Sequence, residues 1–179
     1  ALALADRIAR SAAAYRRDVL SLAGVEPEAR ALVDSGRLFE PFWYVESPLT
    51  TPSPARPFAG RPARGAVPPP GPGVLVPDAP IVGGTRFREI ARDGFLLLTG
   101  ARADADAARE AAATTPGPVR VEDLDGTGLT DVLGAHPDEV WIIRPDAHVA
   151  AVLENPTHHE IRTALARATH SGGEPPWRT

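Results

Sequence analysis

Few groupings in this 179-residue sequence have side chains able to do chemistry. His158-His159-Glu160 offers two imidazoles and a carboxylate, the ligand types of a zinc site. A helical pair that grips one ion sits at i and i+4, whereas adjacent residues point about 100° apart. The run therefore reads as an exposed helix start. His136 and His148 flank a strand pair, are not close in sequence, and read as structural or solvated. Carboxylates gather at Asp104 and Asp106, and again at Glu122, Asp123 and Asp125. Asp123-Leu124-Asp125-Gly126-Thr127-Gly128 has the look of an opening calcium loop, but it lacks the later acidic ligands and the bidentate Glu that closes such a loop. A polar turn after a strand accounts for it. Gly83-Gly84 is too isolated to cradle a phosphate, and no Ser, His and Asp stand around a nucleophile elbow. The residues give no catalytic, cofactor-binding or metal site.

Composition closes further routes. There is no cysteine, hence no disulfide frame, no thiolate metal site and no Cys-x-x-Cys redox pair. All 19 basic residues are arginine, so no lysine is present for a P-loop or a Schiff base. The net charge of −4 is mild and the arginines are scattered, which argues against a nucleic-acid partner. Asp6, Arg7 and Arg10 interrupt the N-terminus too early for a signal peptide, and no window approaches the roughly 18 apolar residues of a membrane span. These features predict a cytoplasmic protein without a membrane partner. The chain opens on Ala1 and contains no Met, as after initiator removal or in a piece of something longer.

The elements that would have to position any site fall into stretches of different character. Residues 1–37 read as a helical segment: Leu4, Ile8, Tyr15, Val19 and Leu22 recur at three- and four-residue spacing up to Gly24, and a short second helix runs from Pro27 toward Gly36. This stripe needs a partner surface. Residues 38–73 read as a connector, first aromatic with Phe39, Phe42, Trp43 and Tyr44, then carrying nine prolines from Pro48 to Pro72. Each proline removes a backbone donor and fixes φ, so an extended linker is expected there. A docking ligand at Pro68-Pro69-Pro70-Gly71-Pro72 is a weaker alternative, because no positioned basic residue adjoins it.

Residues 74–170 read as a compact α/β unit, with 171–179 as a tail. Thr85 is expected to cap a helix through Arg92 that ends at Gly94, and Phe95 to Thr99 to form a buried strand. An alanine-rich helix from Ala103 to Ala113 follows, opened by acidic residues that suit its dipole. Then come a strand from Val119 to Leu124, a short helix from Leu129 to Leu133, a strand from Val140 to Ile143, a tight turn at Pro145-Asp146-Ala147 and a return strand from His148 to Val152. The last helix carries a capping box, Thr157-x-x-Glu160, with Ile161 and Leu165 facing inward. The order β-α-β-α-β-β-α is that of a thioredoxin-like domain, in which the crossovers give parallel pairs and the tight turn an antiparallel one. A thioredoxin-like oxidoreductase would place its thiol at Thr99-Gly100-Ala101-Arg102, where no residue can form a disulfide.

Two stretches together resemble a known family. RRDVLSLAGVEPEARALVDSGRLFEPFWYVESPLTTP, and later GVLVPDAPI, FREIARDGFLLLTG and DEVWIIRPDAHVAAVL, are similar in order and spacing to the C-terminal part of FAD-dependent aromatic hydroxylases of the phenol hydroxylase and polyketide hydroxylase type. The markers are Ser47-Pro48-Leu49, Pro77-Asp78-Ala79-Pro80, the strand Phe95 to Leu98, and Arg144-Pro145-Asp146 before His148. Ala147 departs from the pattern, since the family often has glycine there for a positive-φ turn, and an Asp-Ala turn should be slightly strained or of another type. The resemblance implies upstream flavin and substrate domains of the same enzyme as partners, with FAD and NAD(P)H as that enzyme's cofactors and O₂ hydroxylating an electron-rich ring. It implies a non-catalytic role for this part, in packing or subunit association, with a homodimer open. This chain has no G-x-G-x-x-G after a strand and should hold no cofactor itself. Phe42, Trp43 and Tyr44 are the only residues offered as substrate-proximal, on clustering alone; the alternative is that they anchor the connector to a core. A free-standing, redox-inactive, protein-binding module is the other function left open.

Overall fold

A computed structural model describes residues 43–60, 62–63 and 66–169. The chain divides into two compact units, Ala1–Glu40 and Pro41–Thr179, and every described residue belongs to the second. The expected N-terminal helices, Phe39, Phe42 and the 171–179 tail lie outside the described residues.

The second unit is built on a four-stranded sheet. Its elements are α1 (Phe87–Ala91), β1 (Phe95–Thr99), α2 (Ala105–Ala113), β2 (Val119–Asp123), α3 (Leu124–Thr127), α4 (Thr130–Leu133), β3 (Glu139–Ile143), β4 (Val149–Glu154) and α5 (His158–Ala168). The spatial order is β2-β1-β3-β4. β1 and β2 run parallel, as a helical crossover requires, while β3 is antiparallel to both β1 and β4. The arrangement is the thioredoxin-like α/β fold expected from the element order. Only the first crossover returns parallel, however: α3 and α4 carry the chain past β1 and reverse it, so the expectation of a second parallel pair is corrected.

The two central strands read as continuous apolar runs because both sheet faces are covered. Leu96, Leu98, Trp141 and Ile143 point to the face packed by α1, α3 and α4, and Leu97, Val140 and Ile142 to the face packed by α2 and α5. On that second face Ala108, Ala111, Ala164 and Ala168 keep the helix surfaces small. The alanine run therefore serves close packing as well as helix propensity.

Several element ends move by a residue or two for identifiable reasons. Thr85 does not cap α1: its carbonyl accepts the Ile81 N–H at 2.9 Å in a tight loop, and Arg86 takes the N-cap position. Helix α2 starts at Ala105 because Asp104 caps it, accepting from the N–H groups of Asp106 and Ala107 at 3.0 and 2.9 Å. β2 ends at Asp123, whose carboxylate accepts the Gly126 N–H at 2.8 Å and opens α3 where a plain turn was expected. The β3–β4 turn does place Ala147 at φ 62, the left-handed region that disfavours a β-carbon. The capping box of α5 forms as read, Thr157 N–H donating to Glu160 Oε2 at 2.8 Å and Glu160 N–H to Thr157 Oγ1 at 3.3 Å. Among the described residues no helix is long and apolar enough to cross a membrane.

Candidate functional site

In this fold the reactive corner lies where β1 runs into α2, opposite the loop that precedes β3. Here that corner is closed. The Gly100 N–H donates to the Glu139 carbonyl at 2.9 Å, and the Arg102 N–H to the Pro137 carbonyl at 2.8 Å. A β-carbon on Gly100 would stand 2.3 Å from the Pro137 oxygen, so glycine is required by the approach of the facing loop. Outside this seam Arg102 holds Asp138 in a two-pronged pair, Nε to Oδ1 at 2.8 Å and Nη2 to Oδ2 at 2.6 Å. Hydrogen bonding and charge from Arg102 hold the Asp138 carboxyl below the usual carboxylate range, and the same bond raises the Arg102 guanidinium. The α2 amides that would stabilise a thiolate are answered by Asp104 instead.

The strongest polar feature lies just behind this corner. Glu139 opens β3, and period-2 alternation puts it on the same face as Trp141 and Ile143. Its side chain is only 4% exposed, so the carboxylate must be matched. Four donors do so. Arg56, from the connector, gives Nε to Oε1 and Nη2 to Oε2, both at 2.8 Å; Trp141 Nε1 and the His136 N–H add bonds to Oε2 at 3.0 and 2.9 Å. The Arg56 guanidinium also donates to the Gly134 carbonyl at 2.6 Å and stacks over the Trp141 ring, 4.6 Å from its centroid. One arginine thereby engages a carboxylate, a helix-end carbonyl and an indole, a combination that suits its planar fork and that lysine could not reproduce.

Backbone bonds fasten the connector at other points. Tyr44 N–H donates to the Gly73 carbonyl at 2.7 Å, Gly73 N–H to the Val149 carbonyl at 2.8 Å, and Thr51 N–H to the Ala150 carbonyl at 2.8 Å. Buried Thr50 donates its hydroxyl to the Tyr44 carbonyl at 2.8 Å. The described connector residues are thus laid on the α/β unit's own sheet and close the start of β4. Pro69, Pro70 and Pro72 line a groove of about 250 Å³ together with Arg56 and Phe58.

The residues singled out from sequence are distributed rather than assembled. Trp43 packs against Phe58 with centroids 5.8 Å apart, and Tyr44 meets His148 edge-on at 4.7 Å with Arg144 beyond its face at 5.7 Å. Phe42 lies outside the described residues. His159 Nδ1 stands 3.4 Å from Arg162 Nη2, and His148 Nδ1 lies 3.1 Å from the Asp146 carbonyl oxygen. Asp125 accepts from the Thr130 hydroxyl at 2.6 Å. Among the described residues no three His, Asp or Glu side chains are grouped to hold a metal ion. Gly83 and Gly84, at φ 95 and 87, form the loop closed by Ile81 and Thr85. The Arg56–Glu139 node is what sequence reading missed. Its one signal was a carboxylate immediately before a buried strand with Trp two places on.

The fold and its closed corner define a thioredoxin-like domain without thiol chemistry. The family model for the aromatic-ring hydroxylase C-terminal region matches residues 69–171, and the chain belongs to that family. No curated protein matches it. Similar solved structures include RebC soaked with chromopyrrolic acid and holding 7-carboxy-K252c, at TM-score 0.57 and 21% identity over 80% of this chain and 26% of that one. Aklavinone-11 hydroxylase in a ternary complex with FAD and aklavinone is similar at TM-score 0.53 and 20% identity, over 68% and 25%. The flavin-dependent monooxygenase PieE, in complex with FAD and substrate, is similar at 0.53 and 24%, over 68% and 24%. At these identities the likeness establishes the fold, and the chain spans about a quarter of the length of these structures.

Proposed function

We propose that this chain is the non-catalytic C-terminal part of an FAD-dependent, NAD(P)H-using aromatic hydroxylase, where it serves packing or subunit association. The observation that carries the non-catalytic reading is the closed corner: the Pro137 oxygen is so near Gly100 that not even a methyl group fits between them. The same corner is where a βαβ unit would seat a dinucleotide pyrophosphate, so the described residues do not fit FAD either, and flavin chemistry belongs to upstream domains. The connector residues Trp43 and Tyr44 act as anchors in this reading, each ring having its contact within the unit.

The test is the intact mass of the polypeptide made by its natural source. A mass several tens of kilodaltons above 18.9 kDa, with bound FAD and NAD(P)H oxidation, is expected. A natural polypeptide of 18.9 kDa would overturn the parentage and favour the free-standing module. In the longer enzyme, replacing Trp43 and Tyr44 with alanine should lower thermal stability and leave substrate affinity unchanged. A changed affinity at unchanged stability would put these rings at the substrate instead.

A further inference from the structure

The two edges of the sheet end differently. The start of β4 is covered by the connector, whereas no backbone hydrogen bond from any described residue reaches the outer side of β2. The register fixes which groups face out. Phe95 N–H donates to the Pro118 carbonyl at 2.9 Å and the Thr99 hydroxyl to the Glu122 carbonyl at 3.3 Å, so the even-numbered residues of this stretch turn their backbone groups toward β1. The residues between them turn theirs away. Val119 and Val121 present N–H and C=O to the open side, and Asp123 presents its N–H, its carbonyl being turned into α3.

We propose that β2 is a self-association edge, to which a second copy of this chain adds its own β2 antiparallel about a two-fold axis at Val121. In that register Val121 and its twin exchange two N–H···O bonds, and each Asp123 N–H meets the opposite Val119 carbonyl. The side chains select this occupant. Arg120 and Glu122 lie on one face, two residues apart, and the two-fold sets Arg120 of each copy opposite Glu122 of the other. A parallel addition would set like charges opposite each other. Both groups can be reached by an added strand: the Arg120 side chain is 39% exposed, its Nη2 donating to the Ile90 carbonyl and standing 3.8 Å from Asp93. The exposed Glu122 carboxylate has no described hydrogen bond or ion pair. On the other face half-buried Val119 and Val121 border an open hollow of about 600 Å³ walled by Arg109, Ala112, Ala113 and Thr115, which leaves the strand edge unobstructed on that side. Charges on an edge normally repel added strands. Here their alternating signs are complementary to a second copy of themselves, the property a two-fold interface needs.

This pairing gives the association role proposed above a surface and rests on that reading, but its test is separate. Sedimentation equilibrium of the 179-residue chain at low salt should show a monomer–dimer equilibrium that weakens as salt rises. Glu122→Arg and Arg120→Glu should each weaken dimerisation by about tenfold or more, since each turns two opposed pairs into like charges. An equimolar mixture of the two variants should form a heterodimer, its charges again being opposed. Glu122→Arg is the cleaner variant because the Glu122 side chain has no described hydrogen bond or ion pair to lose; a circular dichroism melt close to the parent's checks that it folds. A monomer at every concentration, a dimer indifferent to both swaps, or a mixture that fails to pair would each overturn the proposal. None of these outcomes bears on the flavin parentage, which the intact mass decides.

Discussion

Arg56→Ala is the sharpest test of how the connector is held. Glu139 is 4% exposed and Arg56 15%, so the substitution strips a nearly buried carboxylate of its charged partner. Removing one member of a buried pair costs about 3–5 kcal/mol. Two features place this case at the lower end. Oε2 keeps its bonds from the Trp141 indole and the His136 N–H, and the neighbouring hollow of about 280 Å³, lined by Arg102, His136, Asp138 and Glu154, lets water reach the vacated side. An expected loss of about 3 kcal/mol, at roughly 2–4 °C per kcal/mol for a chain of this size, lowers Tm by about 6–12 °C. Tryptophan fluorescence is the natural probe, because the guanidinium stacks on Trp141. Arg56→Lys, which keeps the charge and loses the fork, should fall between the two. If Arg56→Ala melts within about 1 °C of the parent, a loss of about 0.5 kcal/mol or less, the node is not what fastens the connector and the argument from burial fails.

Further outcomes follow from the same geometry. Gly100→Ala forces the β1–α2 corner away from Pro137, and the overpacking should cost about 3 kcal/mol, read as a lower urea midpoint at unchanged m-value. Asp138→Asn should be less stable than the parent at pH 7, and the difference should close on acidification: a carboxyl held low in the folded state contributes stability above its unfolded value and loses it as pH falls through the folded one. A gap that persists at low pH would refute the pairing with Arg102. Ala147→Gly relieves a left-handed alanine worth about 1–2 kcal/mol, but it removes a buried methyl worth about 0.8 and adds about 0.4–1 of unfolded-chain freedom. Stability within about 0.8 kcal/mol of the parent is expected from those terms, and a larger gain would mean that the turn is more strained than its φ indicates.

The local chemistry of the α/β unit was legible because it is carried by neighbours in sequence. Phe95 to Leu98 and Val140 to Ile143 announce a sheet covered on both faces, and Thr157 with Glu160 announces a helix start, each through residues within four of one another. The errors fall where a side chain answers something a little farther off. Asp123 reads as part of a polar turn at the end of a strand running to Leu124, and it caps α3 instead; Thr85 reads as a cap, and its carbonyl is held by Ile81. The Arg56–Glu139 node was not legible, since its partners are 83 residues apart and nothing distinguishes Arg56 from the other arginines of the chain. The aromatic stretch was legible only as a cluster. That Trp43 turns to Phe58 and Tyr44 to His148 depends on the path the connector takes, which prolines constrain locally and do not specify at a distance.

That path also gives the absence of thiol chemistry a physical consequence. An oxidoreductase of this fold needs the β1–α2 corner open to a partner and the loop before β3 free to face it. Here residues 135–139 are committed on both sides. The Pro137 carbonyl and the Asp138 carboxylate close the corner through Gly100 and Arg102, while the Glu139 carboxylate accepts from both the His136 N–H and the connector arginine. A cysteine at Gly100 would collide with Pro137, and drawing the loop back to admit it would pull Glu139 away from Arg56. The corner therefore differs from a reactive one in more than the missing thiol. The Gly100 corner is part of what fastens the connector to the sheet, so a thiol placed at Gly100 would disturb that fastening.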